Sequence, residues 1–483
     1  MKETSELIIV GGGIAGLNAL AVASRYLSAH DRVVLVDSRP RAGGMWVDTY
    51  DFVRLHQPYP IFTAGDIAWQ LGKPATYLAT RDEVLDHLRY CVDVARTKVD
   101  LEERFGWEYV AHAEEGGIVT VTLRGPDGRS EALTTRRLIK AYGNRVMPSA
   151  PLEISSTAVR STTPEELSGA IEERPHDSGP LWIIGSGKTA MDVALMLRRE
   201  CPGRELNMLA GTGTVFSRRA TFFPTGSRRW FGGTRVNAML REASLRYDGT
   251  NEHEVAAWFT GAYGVSPSAA PANYFGAYLS DDECADVNTG LRRIEPGHLD
   301  DVVDTPDGPT LVLRDGRSLA IPAGSWLVNC TGYLAHPGHP YEPFVSDTGN
   351  VLSIQLRSSV TGPFTSFGGY YLTHLMFRRK LHAARLYELD VEGLAMKSRP
   401  AIIWASFTLA MYNLGRIAHT LPPTVIMDCG LDFDRWYPRV RQLAGATALL
   451  ATQRRDSKHY RKTLDTLGER FDIRAGVWAT PQH

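Results

Sequence analysis

The chain has 483 residues but only five cysteines, Cys91, Cys201, Cys284, Cys330 and Cys429, and no two stand in CxxC spacing. That scatter fits a reducing, cytoplasmic compartment and excludes a dithiol relay. Metal-ligand spacings such as HxxxH or paired Cys and His are missing too, so no metal is expected. Charge of one sign is also lacking. A formal net charge of −1 gives neither nucleic acid nor an anionic membrane a general reason to bind. No apolar run is long enough to span a bilayer. The most apolar late stretch, residues 401–414, contains Ser406, Thr408 and Asn413 and reads as a buried helix. There is no internal repeat or low-complexity tract, and residues 1–6 lead into a strand without room for a signal peptide.

What is present is glycine, in two telling places. Gly11-Gly12-Gly13-Ile14-Ala15-Gly16 follows the apolar run Leu7-Ile8-Ile9-Val10. Gly185-Ser186-Gly187-Lys188-Thr189-Ala190 follows Leu181-Trp182-Ile183-Ile184. In each, a buried parallel strand should end in a tight turn, and the next helix should offer its N-terminus to a pyrophosphate. One such turn is weak evidence. Two of them, 174 residues apart in strand–turn–helix context, predict two dinucleotides held at once and a chain that passes electrons. The length, about three domains' worth, allows it.

After the first glycine turn, a helix from Ile14 to about Leu27 leads to a second strand, Arg32 to Val36, which ends at Asp37 and Ser38. Asp37 falls 21 residues after Gly16, where a carboxylate takes hydrogen bonds from an adenosine ribose. The competing reading is a turn cap before Pro40. Gly43-Gly44-Met45-Trp46 then permits close backbone approach beside a large flat side chain. The second unit differs. Its strand Glu205–Leu209 ends at Ala210-Gly211-Thr212-Gly213 with no acid, and Arg218-Arg219 follow. A missing acid and two guanidiniums favour a 2′-phosphate, hence NADPH over NADH. A solvated or substrate-facing Arg pair is the alternative. Gly187-Lys188-Thr189 is no P-loop, because Trp182 stands where that motif requires glycine.

Gly11 to Gly16, Asp37 and Gly43-Gly44-Met45-Trp46 resemble the FAD-binding half of flavin-containing monooxygenases and their relatives, the amine N-hydroxylases and Baeyer–Villiger enzymes. Those proteins carry a later fingerprint for NADPH and an Ala-Thr-Gly-Tyr-like strand end, which Cys330-Thr331-Gly332-Tyr333 resembles after Trp326-Leu327-Val328-Asn329. Leu138 to Asn144, with Gly143, is a weaker echo of the strand that closes the first FAD segment. The resemblance covers about residues 5–60, 135–220 and 320–385. Two departures narrow it. The FxGxxxH element is missing, since residues 150–180 contain no Phe and only His176, and Thr157 to Thr162 stand in its place. The Phe/Tyr-Pro pair of the Baeyer–Villiger pattern is missing after Trp46, which disfavours ketone oxygenation and leaves amine or sulfur oxygenation, or a divergent use of the same scaffold.

The family places a Thr-Asn-x-Pro-like loop against the flavin ring, and Arg54-Leu55-His56-Gln57-Pro58 corresponds to it. The resemblance therefore implies His56 or Gln57 as the flavin-facing, catalytic position. Equally open is a histidine that bonds only the backbone. The implied FAD contacts are Gly11, Gly13, Ile14, Ala15, Gly16, Asp37, Ser38, Gly44, Met45, Trp46, His56, Gln57 and Gly143. The implied NADPH contacts are Gly185, Ser186, Gly187, Lys188, Thr189, Arg218, Arg219, Thr331, Gly332 and Tyr333.

Along the chain, Thr80-Arg81-Asp82-Glu83 is a capping box opening an amphipathic helix to about Lys98. Pro126-Asp127-Gly128, Asp307-Gly308 and Asp315-Gly316 mark hairpin turns. A Trp-, Tyr- and Gly-rich stretch, about 220–297, reads as an irregular insertion serving as a lid, a binding element or a packing surface for a partner subunit. Thr365 to His374 reads as a glycine-rich turn before a helix from Leu375 to about Leu389, either covering the flavin or an ordinary loop. The tail is helical in pattern and broken at Pro422-Pro423.

The expected fold is α/β, with two Rossmann-like three-layer dinucleotide-binding domains and a helical C-terminal extension. The FAD domain would take residues 1–155 and return over 326–395, the NAD(P) domain 156–325, and the helical region 396–483. The expected function is an FAD-dependent, NADPH-consuming monooxygenase. It would use O2 to oxygenate a small nucleophilic substrate, by N-hydroxylation or S-oxygenation, through a flavin C4a-(hydro)peroxide. A reductase without oxygen insertion is the alternative, and a nucleotide-binding sensor ranks last. Neither nucleic acid nor membrane is an expected partner, and an oligomer is compatible with the pattern.

Overall fold

Two five-stranded parallel sheets organise the chain in the computed structural model, which describes residues 4–144, 146–332 and 338–478. The first sheet runs Val351–Ser353, Leu138–Lys140, Leu7–Val10, Arg32–Asp37, Asp100–Phe105. The second runs Arg293–Glu295, Leu206–Leu209, Leu181–Ile184, Trp326–Asn329, Arg160–Thr162. Leu7–Val10 and Leu181–Ile184 are short, apolar and buried throughout, as strands covered on both faces must be. In each sheet the strand order reverses beside that first strand, which opens a crevice at the carboxyl ends. The fold is the α/β class that the glycine turns predict.

Each sheet carries a three-stranded antiparallel meander, Glu108–Glu115 to Thr135 on the first and Leu299–Thr305 to Ala320 on the second. Gly128, Gly308 and Gly316 take positive φ at the turns. The helix Arg81–Arg96 opens on the full capping box of Thr80 and Glu83. Helix Ile14–Ala23 is buried on almost every side. A helix of 13 residues, Thr365–Phe377, presses against it so closely that a Cβ on Gly369 would stand 2.0 Å from the Ala15 carbonyl oxygen.

Three sequence readings need correction. Trp326–Asn329 pairs with Leu181–Ile184 and lies in the second sheet, so the return to the first domain does not begin at residue 326. A four-residue apolar strand buried on both faces carries no sign of which sheet it joins. The glycines of 365–374 do not form a turn. The helix starts at Thr365, Gly369 lets two helices touch, Gly368 abuts Ile354 and Thr361, and Tyr387–Leu389 is a strand. The stretch 220–297 is not irregular. It contains helices Val236–Arg246, Glu252–Tyr263 and Asp281–Gly290, the strand Asn273–Leu279, and the edge strand Arg293–Glu295 of the second sheet.

That insertion shares a core with the C-terminal helices Arg399–Thr420 and Arg439–Phe471. Phe223, Tyr247 and Phe259 pack with Trp404, Phe407, Trp436 and Tyr460, all buried. Ion pairs fasten the two: the Arg470 guanidinium donates to both Glu252 oxygens at 2.8 and 2.9 Å, and Arg241 donates to Asp456 at 2.7 Å. The result is a helical module beside the two sheets, built from segments far apart in the chain.

Candidate active site between two nucleotide cradles

Both cradles are made the same way. Gly11 has φ +109°, and a Cβ there would stand 2.5 Å from the carbonyl oxygen of Ala141, just past the neighbouring strand. Gly185 has φ +118°, and its Cβ would stand 2.9 Å from the Cys330 carbonyl oxygen. Each switch point is thus closed so tightly that only glycine fits. Gly16 closes the first turn further, since a Cβ would stand 1.8 Å from the Gly11 oxygen. Gly13 and Gly187 are the N-caps of the following helices and offer no side-chain cap, so the first-turn N–H groups point outward for an anion. Nothing lies within 4 Å of a Cβ at Gly187, which therefore faces open space.

In the first cradle, Asp37 is buried and accepts from the N–H groups of Gly12 at 2.6 Å and Arg39 at 2.8 Å. Its carboxylate retains lone pairs for a ribose. Ser38 is exposed beside it. Gly44 has φ +57° and packs directly on Gly13, while the Gly43 N–H donates to the Gly12 oxygen at 2.9 Å. Ile14 and Ala15 form the first turn of the helix. Met45 is exposed. Trp46 turns inward instead, buried and edge-on to Phe62, so it serves the core rather than a ligand surface. The Gly143 N–H donates to the Ile354 oxygen at 3.0 Å, beside Thr365.

In the second cradle, Ser186 is buried and donates to the Ala210 carbonyl at 2.8 Å, so its hydroxyl holds the loop to the second strand. Lys188 pairs with Asp192 one turn along its helix, and Asp192 also accepts from the Tyr50 hydroxyl at 3.0 Å. Burial raises the Asp192 carboxyl above its usual range, against the opposing pull of Lys188. Thr189 sits in the same first turn, near Tyr50. The Thr331 hydroxyl donates to Asn329 Oδ1 at 2.7 Å, Thr331 reaches the Cβ position of Gly185, and Gly332 has φ +90°. Tyr333 lies outside the described residues.

The Arg pair is not where the sequence reading puts it. Arg219 is turned into the interface between the domains, where Nε donates to the His56 carbonyl at 2.9 Å and Nη2 to Glu283 at 2.7 Å. Arg218 is half-exposed, 3.4 Å from Asp281, and donates to the Gly264 oxygen at 3.2 Å. Their spacing after a strand resembled a phosphate pair. Acids from helix Asp281–Gly290 claim both guanidiniums instead.

His56 and Gln57 stand at this same interface. The Nδ1 of His56 accepts from the Tyr278 N–H at 3.2 Å, and the two rings stack with centroids 5.6 Å apart. Burial, then Lys188 and Arg219, push the imidazole down to about 3, so it is neutral with its proton on Nε2. The backbone role and a free Nε2–H therefore coexist. Gln57 is buried and its Oε1 has no protein partner; the same is true of Asn144 Oδ1, next to Gly143. Two orphaned acceptors fit a ligand that donates hydrogen bonds. From Tyr278, which stacks on His56, a chain of rings runs through Phe223, Phe433 and Phe367 with centroid distances of 4.9–6.5 Å.

A family model described as an NAD(P)-binding Rossmann-like domain matches residues 9–79, which include the first glycine turn, Asp37 and His56. By sequence the chain is similar to uncharacterized proteins of Mycobacterium tuberculosis and Mycobacterium bovis. Each is 24% identical over 391 residues, covering 77% of this chain and 67% of the relative. Among solved structures it is similar to an ornithine N-hydroxylase of Kutzneria, described with reduced FAD, NADP+ and L-ornithine, at 14% identity over 78% of this chain and 100% of that one, TM-score 0.49. It is also similar to a flavin-containing monooxygenase of Stenotrophomonas maltophilia, at 13% identity over 78% and 99%, TM-score 0.46. A bacillithiol disulfide reductase of Bacillus cereus is similar at 14% identity over 78% and 100%, TM-score 0.45.

Sequence reasoning missed Tyr50, Asp192, Glu283 and Tyr278. Asp192 carried a signal, four residues after Lys188 on one helix face, where opposite charges meet. Tyr278 and Glu283 carried none, because their partners are more than 60 residues away in the chain.

Proposed function

We propose that this chain is an FAD-dependent, NADPH-consuming monooxygenase that oxygenates a small amine or sulfur nucleophile. One observation carries the reading: two glycine cradles in a single chain are bridged by Tyr50–Asp192–Lys188 and by His56–Arg219. FAD would be held by the backbone at Gly11, Gly13 and Gly16, with Asp37 on its ribose and Gln57 and Asn144 toward its ring. NADPH would lie across Gly185, Gly187 and the Thr331-Gly332 turn. When bound, the flavin supplies two-electron transfer from the nicotinamide and the activation of dioxygen. The chain's own share is positioning and exclusion of water. Neutral His56 holds one proton at Nε2, and the rings of Phe223, Tyr278, Phe433 and Phe367 keep water from the interface. The preference for NADPH now rests on the missing acid at Ala210-Gly211-Thr212, not on the Arg pair.

A reductase that passes electrons on without inserting oxygen is the second reading, favoured by the missing FxGxxxH element. The experiment that separates them supplies NADPH and isotopically labelled dioxygen with a panel of amines and thioethers. Label in an N- or S-oxygenated product is the expected result. NADPH oxidation that yields only hydrogen peroxide or a reduced quinone, with no label in any organic product, would move the assignment to the reductase. A protein that cannot be reconstituted with FAD would sink both.

A further inference from the structure

The strongest feature outside the cradles is an exposed apolar surface on the helical module. Phe231 is 91% exposed and Trp230 55%, both on the short turn Arg228–Phe231. Arg441 fastens that turn to the start of the long helix Arg439–Phe471 by donating to the carbonyls of Arg229 at 2.8 Å and Gly232 at 2.6 Å. On that helix Val440, Leu443 and Leu450 are exposed at 70%, 49% and 48%. They lie on one stripe with Thr447, at spacings of three and four, and no residue from Gln442 to Gln453 is charged. A solvated helix face does not look like this.

Along the two segments that build the surface, the charge has one sign. No acid occurs from Gly211 to Arg241, and from Arg435 to Thr463 the only acid is Asp456, which is buried and paired with Arg241. Arg228 and Arg439 flank one end of the apolar stripe, and Arg454 and Arg455 the other. The net charge of −1 conceals this strip, because the compensating acids lie elsewhere.

We propose that this surface docks on an anionic lipid bilayer, with Trp230 and Phe231 entering the headgroup boundary and the stripe of Arg439–Phe471 lying in its plane. Exposed aromatic tips, an aliphatic helix face and a cationic rim without acids are what an interfacial site requires. No described helix is long and apolar enough to cross a membrane, so the chain would lie on the surface. A second copy fits less well. Guanidiniums bracket the stripe at both ends, so pairing it with itself, parallel or antiparallel, sets cation against cation. Nucleic acid fits less well too, since only Trp230 and Phe231 could stack on bases, at one end, and the aliphatic Val440, Leu443 and Leu450 along the rest of the stripe could not.

The test is co-sedimentation of the full chain with vesicles of phosphatidylcholine alone, or of phosphatidylcholine mixed with phosphatidylglycerol. Binding is expected only to the mixed vesicles at about 0.1 M salt, and should fall away near about 1 M. Trp230→Ser/Phe231→Ser should lower that binding about tenfold or more. Circular dichroism and the denaturation midpoint should not change, because both side chains are exposed. Arg454→Gln/Arg455→Gln, which keeps the apolar tips, should lower binding to mixed vesicles and flatten its salt dependence. No sedimentation with mixed vesicles would overturn the proposal, as would sedimentation indifferent to both double variants. A dimer in size-exclusion chromatography that Trp230→Ser/Phe231→Ser dissociates, without vesicle binding, would assign the surface to a second copy and refute the bilayer. Retention by single-stranded DNA but not by vesicles would refute it equally.

Discussion

Asp192→Ala should be among the costliest single changes in this protein, and its cost can be worked from the contact it breaks. The Lys188 side chain is 19% exposed and that of Asp192 9%, so the pair is largely withdrawn from water. Removing the carboxylate leaves an ammonium at a helix N-terminus, where the macrodipole also disfavours it. Breaking a buried pair from one side costs about 3–5 kcal/mol. The Tyr50 hydroxyl loses that acceptor as well. Lys188→Met should cost a similar amount, since Asp192 would keep only Tyr50. The double variant Lys188→Met/Asp192→Leu removes both charges and should come within ~1 kcal/mol of the parent. The cycle therefore predicts a coupling of about 5 kcal/mol or more, because two single costs of that size collapse to within ~1 kcal/mol when combined. Urea denaturation of the four proteins, followed by tryptophan fluorescence and circular dichroism, measures it. Single variants that each cost under ~1 kcal/mol and simply add would show that water screens the pair, and the bridge between the cradles would lose its structural weight.

Gly187→Ala should lower stability by no more than the ~1 kcal/mol that Ala costs at an N-cap, because its Cβ meets nothing, yet raise KM for NADPH about tenfold, or ~1.4 kcal/mol; an unchanged KM would argue against a phosphate there. Gly16→Ala should fail differently, with loss of folded protein, since its Cβ collides with the Gly11 carbonyl. His56, His87 and His374 are each pushed down to about 3, mainly by burial. The unfolded chain takes up these protons near pH 6.5 and the folded one only near 3. Their contribution is whole above about pH 6.5 and is lost as pH falls toward 3, by at most ~4 kcal/mol per pH unit for three protons. Urea midpoints that stay flat between about pH 7 and 5 would contradict that burial.

Local signals were legible and long-range ones were not. The two glycine turns, the Thr80–Glu83 box and the hairpin turns each need only a few consecutive residues, so the sequence alone places them. Trp326–Asn329 could not be given to a sheet, because four buried apolar residues look alike in any parallel neighbourhood. Gly368-Gly369 read as a turn because glycine breaks helices in isolation. Here the gain from packing on Ala15 outweighs that penalty. Arg219 looked free because Glu283, 64 residues on, could not be foreseen as its partner. Gln57 and Asn144 were within reach of the resemblance, but only the structure reveals that their oxygens lack partners.

The shared core of insertion and tail also sets a timetable for synthesis. The helix Val236–Arg246 leaves the ribosome about 160 residues ahead of Arg399–Thr420, against which it buries its apolar side. At ~5–20 residues per second that interval is roughly 10–30 s. Through it, Phe223, Tyr247 and Phe259 have no partner rings from the tail, whereas both strands Leu7–Val10 and Leu181–Ile184 already have neighbours to pair with. The nascent chain thus carries a sticky aromatic segment late into translation. Yield in a heterologous host should depend on chaperone supply and elongation rate more than on the stability of the finished protein.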